Sequence, residues 1–181
     1  MDSRALSGFD NFGVLMEIDI IDGDITSIPA DALLTAINSG RMWFGGIDGV
    51  ISRAAGNQYH VQASAALDSN PDTSVIIATK STSHHGSFEN VVFTIDDLDR
   101  PLREVILDGL QGAEQHGCRT ITMPAIRLGV MRDIGGSVEE KVRETIGALK
   151  EHAETSRLQL VSVVIFNDQQ LSNMFRQALV A

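Results

Sequence analysis

The sequence predicts an α/β protein in which helices cover both faces of a mostly parallel sheet, and three observations carry that prediction. Strand-like and helix-like segments alternate along nearly all of the 181 residues, the order that builds parallel sheets. The run Ala32 to Ile37 is apolar except for Thr35, as in a central strand buried on both faces. Several segments between the strands carry apolar residues at three- and four-residue spacing, the stripe of a helix packed on one side. A chain of this length forms one domain and buries a substantial core.

In order, Val14 to Ile21 has Met16, Ile18 and Ile20 alternating with Glu17 and Asp19, a half-buried strand. Asp22-Gly23-Asp24 ends it, and a turn through Pro29 leads into the central run. The glycine-bearing loop Asn38 to Gly46 follows. A short helix over Ile47 to Ala55 stops at Gly56, since glycine accepts the backbone of a helix end without strain. A second helix covers Gln58 to Leu67, and strands are expected at Ser74 to Thr79 and Asn90 to Ile95, with the loop Lys80 to Glu89 between them. Pro101 opens a helix whose stripe is Leu102, Val105, Ile106, Leu110 and Ala113. Thr120 to Met123 is a short strand ending at Pro124. A long helix begins near Ser137, with Glu139 and Glu140 suiting its dipole and Val138, Val142, Ile146 and Leu149 facing inward. Leu158 to Phe166 is a β-rich strand, and Asp168 caps a last helix carrying Leu171, Phe175 and Leu179. Residues 1–13 form a tail or an extra strand, and residues 14–181 the domain.

Composition narrows the function. A hydrophobic fraction of 43% with 21% charged residues is that of a soluble globular protein. No apolar run reaches the roughly 18–20 residues of a membrane helix, and Met1 to Gly13 lacks the apolar centre of a signal peptide. A single cysteine, Cys118, rules out a disulfide within the chain and suits a cytoplasmic setting. A net charge of -10 argues against broad nucleic-acid binding. It leaves room for a small anion, because backbone amides and a helix N-terminus hold a phosphate locally.

In parallel sheets ligands bind beyond the carboxyl ends of the strands. Four loops lie there: Asp22–Ile25, Asn38–Asp48, Ala125–Asp133 and Phe166–Asp168. The Gly45-Gly46 pair before a helix lets amides approach an anion, a signal shared by many strand–helix connections. The common phosphate-loop patterns, G-x-x-x-x-G-K-[ST] and G-x-G-x-x-G, are absent.

The order of short motifs is more specific. Gly23-Asp24-Ile25-Thr26, Asp31-Ala32-Leu33-Leu34, Ala36-Ile37-Asn38-Ser39, Gly45-Gly46-Ile47-Asp48-Gly49 and Arg53-Ala54-Ala55-Gly56 resemble the N-terminal signature of macro domains. Pro124-Ala125-Ile126 with Gly129-Val130 resembles the family's second phosphate loop, and Phe166-Asn167-Asp168 its closing corner. The resemblance runs from about Val14 to Leu179 and sits nearest the MacroD-type branch. It implies a three-layer α/β/α sandwich with a mixed, mostly parallel sheet that binds ADP-ribose or an ADP-ribosylated protein. Charge, hydropathy and histidine spacing lead to the expectation of no metal, nucleic acid or membrane, and no cofactor is expected.

By the same resemblance, Asp24 accepts the adenine amino group, with Ile25 beside it. An exocyclic amine offers only donors, so a carboxylate suits it. Asn38 contacts the distal ribose, Gly45, Gly46 and Ile47 form the first phosphate loop, and Leu128, Gly129, Val130 and Met131 form the second. Phe166 packs on the adenine. Asp48, with Asn38, matches the pair that directs water at the distal ribose in the hydrolytic branch.

The departures from the family cluster around those same loops. Thr35 stands where asparagine is usual, Trp43-Phe44 where glycines are, Ser52 where a histidine follows the aspartate, Arg127-Leu128 where Ser-Thr is usual, and Met131 and Arg132 where an aromatic residue and a glycine stand. Without the resemblance Asp24 reads first as a turn cap, and Asp48 reads equally as an early-helix aspartate. Arg127 and Arg132 are either surface charges or partners of a phosphate. Trp43 is expected within reach of the ligand, with a core position under the loop as its alternative. His84-His85 lacks metal-ligand spacing and reads as a solvated loop, and Cys118 as a structural thiol. Three functions follow: an ADP-ribose-binding module, a hydrolase that removes ADP-ribose from acidic side chains or deacetylates O-acetyl-ADP-ribose, and a macro fold with an altered or lost ligand.

Overall fold

The computed structural model describes residues 15–43 and 45–181. The expected tail or strand over 1–13, and Phe44, lie outside the described residues. The elements run β1 (Glu17–Asp22), a 3-10 turn (Ile25–Ser27), β2 (Ala30–Ile37), α1 (Gly46–Ala55), α2 (Gln58–Ser69), β3 (Val75–Thr79), β4 (Phe88–Ile95), α3 (Leu102–Gln115), β5 (Thr120–Pro124), α4 (Val138–Ala153), β6 (Leu160–Ile165) and α5 (Gln169–Val180).

The six strands lie in the order β1-β6-β5-β2-β4-β3. All neighbours are parallel except β3 and β4, which pair antiparallel at one edge, so the sheet is mixed and mostly parallel. β2 sits inside the sheet, between β5 and β4, and its side chains feed both faces. Ala32 and Leu34 join the cluster with α3, α4 and α5, while Leu33 and Ile37 join the cluster with α1 and α2. That two-sided burial is why the strand is apolar almost throughout.

Local chemistry agrees with these boundaries. Ser137 accepts from the Glu140 amide and Glu140 reaches back to the Ser137 amide, a capping box that opens α4. Gly56 has φ 68 and its amide donates to Ser52 O, which closes α1 and turns the chain into α2. Gly109 brings α3 against the sheet, where an added Cβ would meet Leu34 and Thr94 side chains at 2.7 Å. Asp31, from the N-terminal motif, accepts from the Arg119 and Thr120 amides at 2.7 and 2.9 Å. It fastens β2 to β5 at the edge of the sheet away from the strand carboxyl ends. Among the described residues no helix is long and apolar enough to cross a membrane, and no cluster of three or more His, Cys, Asp or Glu side chains has metal-holding geometry.

Candidate functional site

Five parallel strands end on one side of the molecule, and two cavities open there. The first, about 590 Å³, is walled by Asn38, Asp48, Asp96, Arg127 and Met131 among others. The second, about 860 Å³, has Asp24, Ile25, Arg53, His85, Phe166 and Asp168 in its wall. Both cavities share Gly45, Gly46, Ile47, Pro124, Ala125 and Gly129. The result is one cleft with two lobes and a glycine-bearing saddle.

The saddle is built from backbone. Gly45 caps α1 without a side-chain hydrogen bond, so the first-turn amides keep no side-chain acceptor at the cap. Gly46 has φ 54, a left-handed backbone that suits glycine, and a Cβ there would stand 4.0 Å from Val130 Cγ1. The two loops therefore face each other closely. Leu128 points into the core and is buried, whereas Val130 is exposed. Lys141, itself buried, fastens the second loop from below by donating to Met131 O at 3.2 Å and Arg132 O at 2.7 Å.

In the second lobe, Asp24 accepts from the Thr26 amide at 2.9 Å and the Thr26 hydroxyl at 2.8 Å, both on Oδ1. It is a turn cap and a cavity residue at once. Phe166 follows β6 with 69% of its surface exposed, an uncovered ring at the cavity wall. Asp168 caps α5 through the Leu171 amide at 2.9 Å and pairs with Arg132 at 2.6 Å. Those two bonds, the Leu171 amide first, hold its carboxyl below the usual range.

In the first lobe, the Asn38 side chain closes its own loop, accepting from the Met42 amide at 3.0 Å and donating to Met42 O at 3.2 Å. Asp48, in the first turn of α1, is 2.9 Å from His60 Nε2, with side-chain exposures of 13% and 10%. His60 on α2 was not foreseen. Nothing in the spacing flags it, because only the turn at Gly56 brings α2 back beside Asp48.

Several expectations need correction. Trp43 is not among the residues lining either lobe. Its indole donates to Asn38 O at 2.9 Å and its ring lies 5.7 Å from that of His60, so it packs under the loop. Arg127 is no surface charge and no free phosphate partner. Its guanidinium holds Asp96 through two bonds at 2.8 and 2.6 Å, with side chains only 9% and 6% exposed. Bonding to Asp96, against the cost of burial, binds its proton more firmly than usual. Arg132 is likewise paired, with Asp168. His84 is not a solvated loop residue: it meets the Tyr59 hydroxyl at 2.8 Å and accepts from the Gly86 amide at 3.0 Å. Burial pulls the imidazole below its ordinary range and pushes the Tyr59 phenol up to about 12. Cys118 is buried and its thiol is pushed up by that burial, as a structural thiol requires.

A three-layer sandwich with a two-lobed cleft at the carboxyl edge of its sheet defines a class of α/β ligand-binding domain. The chain belongs to the macro domain family, whose model matches residues 34–133. It is 27% identical over 181 aligned positions to a macro domain-containing protein of Lactiplantibacillus plantarum, covering 92% of this chain and 98% of that one. It is 24% identical to O-acetyl-ADP-ribose deacetylase 1 of Pantoea vagans, covering 88% and 90%. The fold matches the Oceanobacillus iheyensis macrodomain with ADP at TM-score 0.70 and 19% identity, covering 89% of this chain and 88% of that one. It matches the Trypanosoma brucei macrodomain in complex with ADP-ribose at TM-score 0.70 and 18% identity, covering 93% and 72%.

Proposed function

We propose that the cleft binds ADP-ribose, free or attached to a protein, with adenosine in the lobe of Asp24 and Phe166, the diphosphate over the saddle, and the distal ribose in the lobe of Asn38 and Asp48. The observation that carries this is the shape: two lobes joined over backbone amides at a helix start. A diphosphate is an anion between two sugars, and uncapped amides hold it without any cationic side chain. Gly45, Gly46, Ile47, Gly129, Val130 and Met131 supply that saddle, with Leu128 setting the base of the second loop. Ile25 offers its backbone beside Asp24. The relatives named for O-acetyl-ADP-ribose and the neighbours holding ADP or ADP-ribose support the same ligand. Calorimetric titration with ADP-ribose, ADP and AMP tests it: affinity should fall in that order. No heat of binding with any of the three excludes the proposal.

A second reading, hydrolysis at the distal ribose, is favoured by one observation: the Asp48 carboxylate lines the first lobe and is held there by a hydrogen-bond partner. In that case Asp48→Ala abolishes release of ADP-ribose from a glutamate- or aspartate-modified protein, or of acetate from its acetyl ester. Affinity for ADP-ribose stays within about tenfold, or ~1.4 kcal/mol.

A further inference from the structure

His60 lies on α2 and lines neither lobe, yet its one hydrogen bond among the described residues reaches a carboxylate in the cleft wall. Nε2 is 2.9 Å from Asp48 Oδ1, while Nδ1 is buried with no hydrogen-bond partner. The carboxylate accepts, so the ring hydrogen belongs on Nε2. A hydrogen on Nδ1 would be a buried donor without an acceptor, the costlier way to leave that atom.

The ring is also clamped. Phe93 stands 5.3 Å from it on one side and Trp43 5.7 Å on another, both tilted. Trp43 is pinned in turn by its bond to Asn38 O, and Asn38 by its two bonds to Met42. Asn38, Trp43, His60 and Asp48 therefore form one connected chain of contacts beneath the first lobe. The imidazole thus reaches Asp48 from α2, with the indole against it.

We infer that His60 is the positioning residue of Asp48, fixing Oδ1 so that Oδ2 is left to take a proton from water at an ester on the distal sugar. This rests on the cleft binding ADP-ribosyl compounds. The step balances without a further reactant. Asp48 Oδ2 takes one proton from water, and the water oxygen bonds to the acyl carbon. The bond from that carbon to the sugar oxygen breaks, and the sugar oxygen takes the proton back from Asp48. The products are a carboxylic acid and a free hydroxyl. An orienting bond of this kind serves catalysis by removing wrong carboxylate rotamers rather than by touching substrate.

The test uses the whole chain with O-acetyl-ADP-ribose, and with a peptide ADP-ribosylated on glutamate to separate the two sources of such an ester. His60→Leu removes the donor; His60→Gln keeps an N–H at similar reach. The expected result is a kcat at least about tenfold lower for His60→Leu with KM and ADP-ribose affinity within about threefold, and a kcat within about threefold of wild type for His60→Gln. Wild-type kcat in His60→Leu, or equal losses in both variants, overturns the inference, as does wild-type protein that binds ADP-ribose in calorimetry but opens neither ester. Protein that does not bind at all overturns the proposed ligand, and this inference with it. The 15N spectrum of the wild-type imidazoles is independent of whether the variants fold: it should show His60 with its hydrogen on Nε2, and a hydrogen on Nδ1 overturns the inference.

Discussion

Asp24 uses one oxygen for two bonds to Thr26, so replacing it changes both a turn and a cavity wall. Two substitutions separate these roles. Asp24→Asn keeps a carbonyl oxygen for the cap and loses the charge; Asp24→Ala loses both. ADP-ribose affinity should fall in each, by about 1.5–3 kcal/mol for the alanine, the scale of a bond to a charged group. The melting temperature should drop only for the alanine. Calorimetry with a parallel thermal melt measures the two effects, and unchanged affinity in both variants takes Asp24 out of the site. At this scale the sequence was informative where a residue acts through its own type. Asp24, Asn38 and Asp48 line the cleft, in the loops where the motif order had placed them. It was uninformative where a residue acts through a distant partner. Arg127 finds Asp96 31 positions away, and Trp43 finds His60 on α2 with the whole of α1 between them, neither visible in local spacing.

Helices were legible to within a few residues because their signals are local. The Ser137 box, the stop at Gly56 and the Asp168 cap are written in adjacent residues. Strand ends were looser: the last strand was expected over Leu158 to Phe166 and spans Leu160–Ile165, since pairing with β1 and β5, not side-chain type, decides where a ladder stops. The resemblance implied a mixed sheet, but the same limit left open which strand is antiparallel, because direction depends on how β3 returns to β4. Helix-to-sheet distance is a property of this scale too. Gly109→Ala should gain about 1 kcal/mol of helix propensity yet lose about 1–3 kcal/mol to the 2.7 Å contacts with Leu34 and Thr94. A net loss in chemical denaturation is expected, with the helical circular dichroism unchanged. A stabilised variant would mean that α3 shifts freely on the sheet.

Across the whole molecule, several folded-state acids titrate below their ordinary range. In Asp31 burial is outweighed by the Arg119 and Thr120 amides, and in Glu114 by Arg157. In Asp168 the Leu171 amide leads, followed by Arg132. A depressed folded value stabilises above the unfolded value of about 4 and loses that contribution as pH falls through the folded one. His84, lowered chiefly by burial, obeys the same sign from an unfolded value near 6.5. Urea titrations at stepped pH should therefore show stability declining in two limbs, a shallow one below about pH 6.5 and a steeper one below about pH 4. His84→Asn should remove the upper limb alone; a variant curve that keeps both would assign that limb to another group. The two lobes of the cleft, finally, are not independent receptacles, because the same saddle residues belong to both. On the proposed ligand, a nucleoside end and a sugar end offered as separate molecules would each be immobilised at its own entropic cost and would compete for shared amides. Joined by a short bridge, the second end meets its lobe at an effective concentration set by the bridge, commonly millimolar. Selectivity for the whole ligand over its fragments thus needs no contact that the fragments lack; it follows from two recesses sharing one floor.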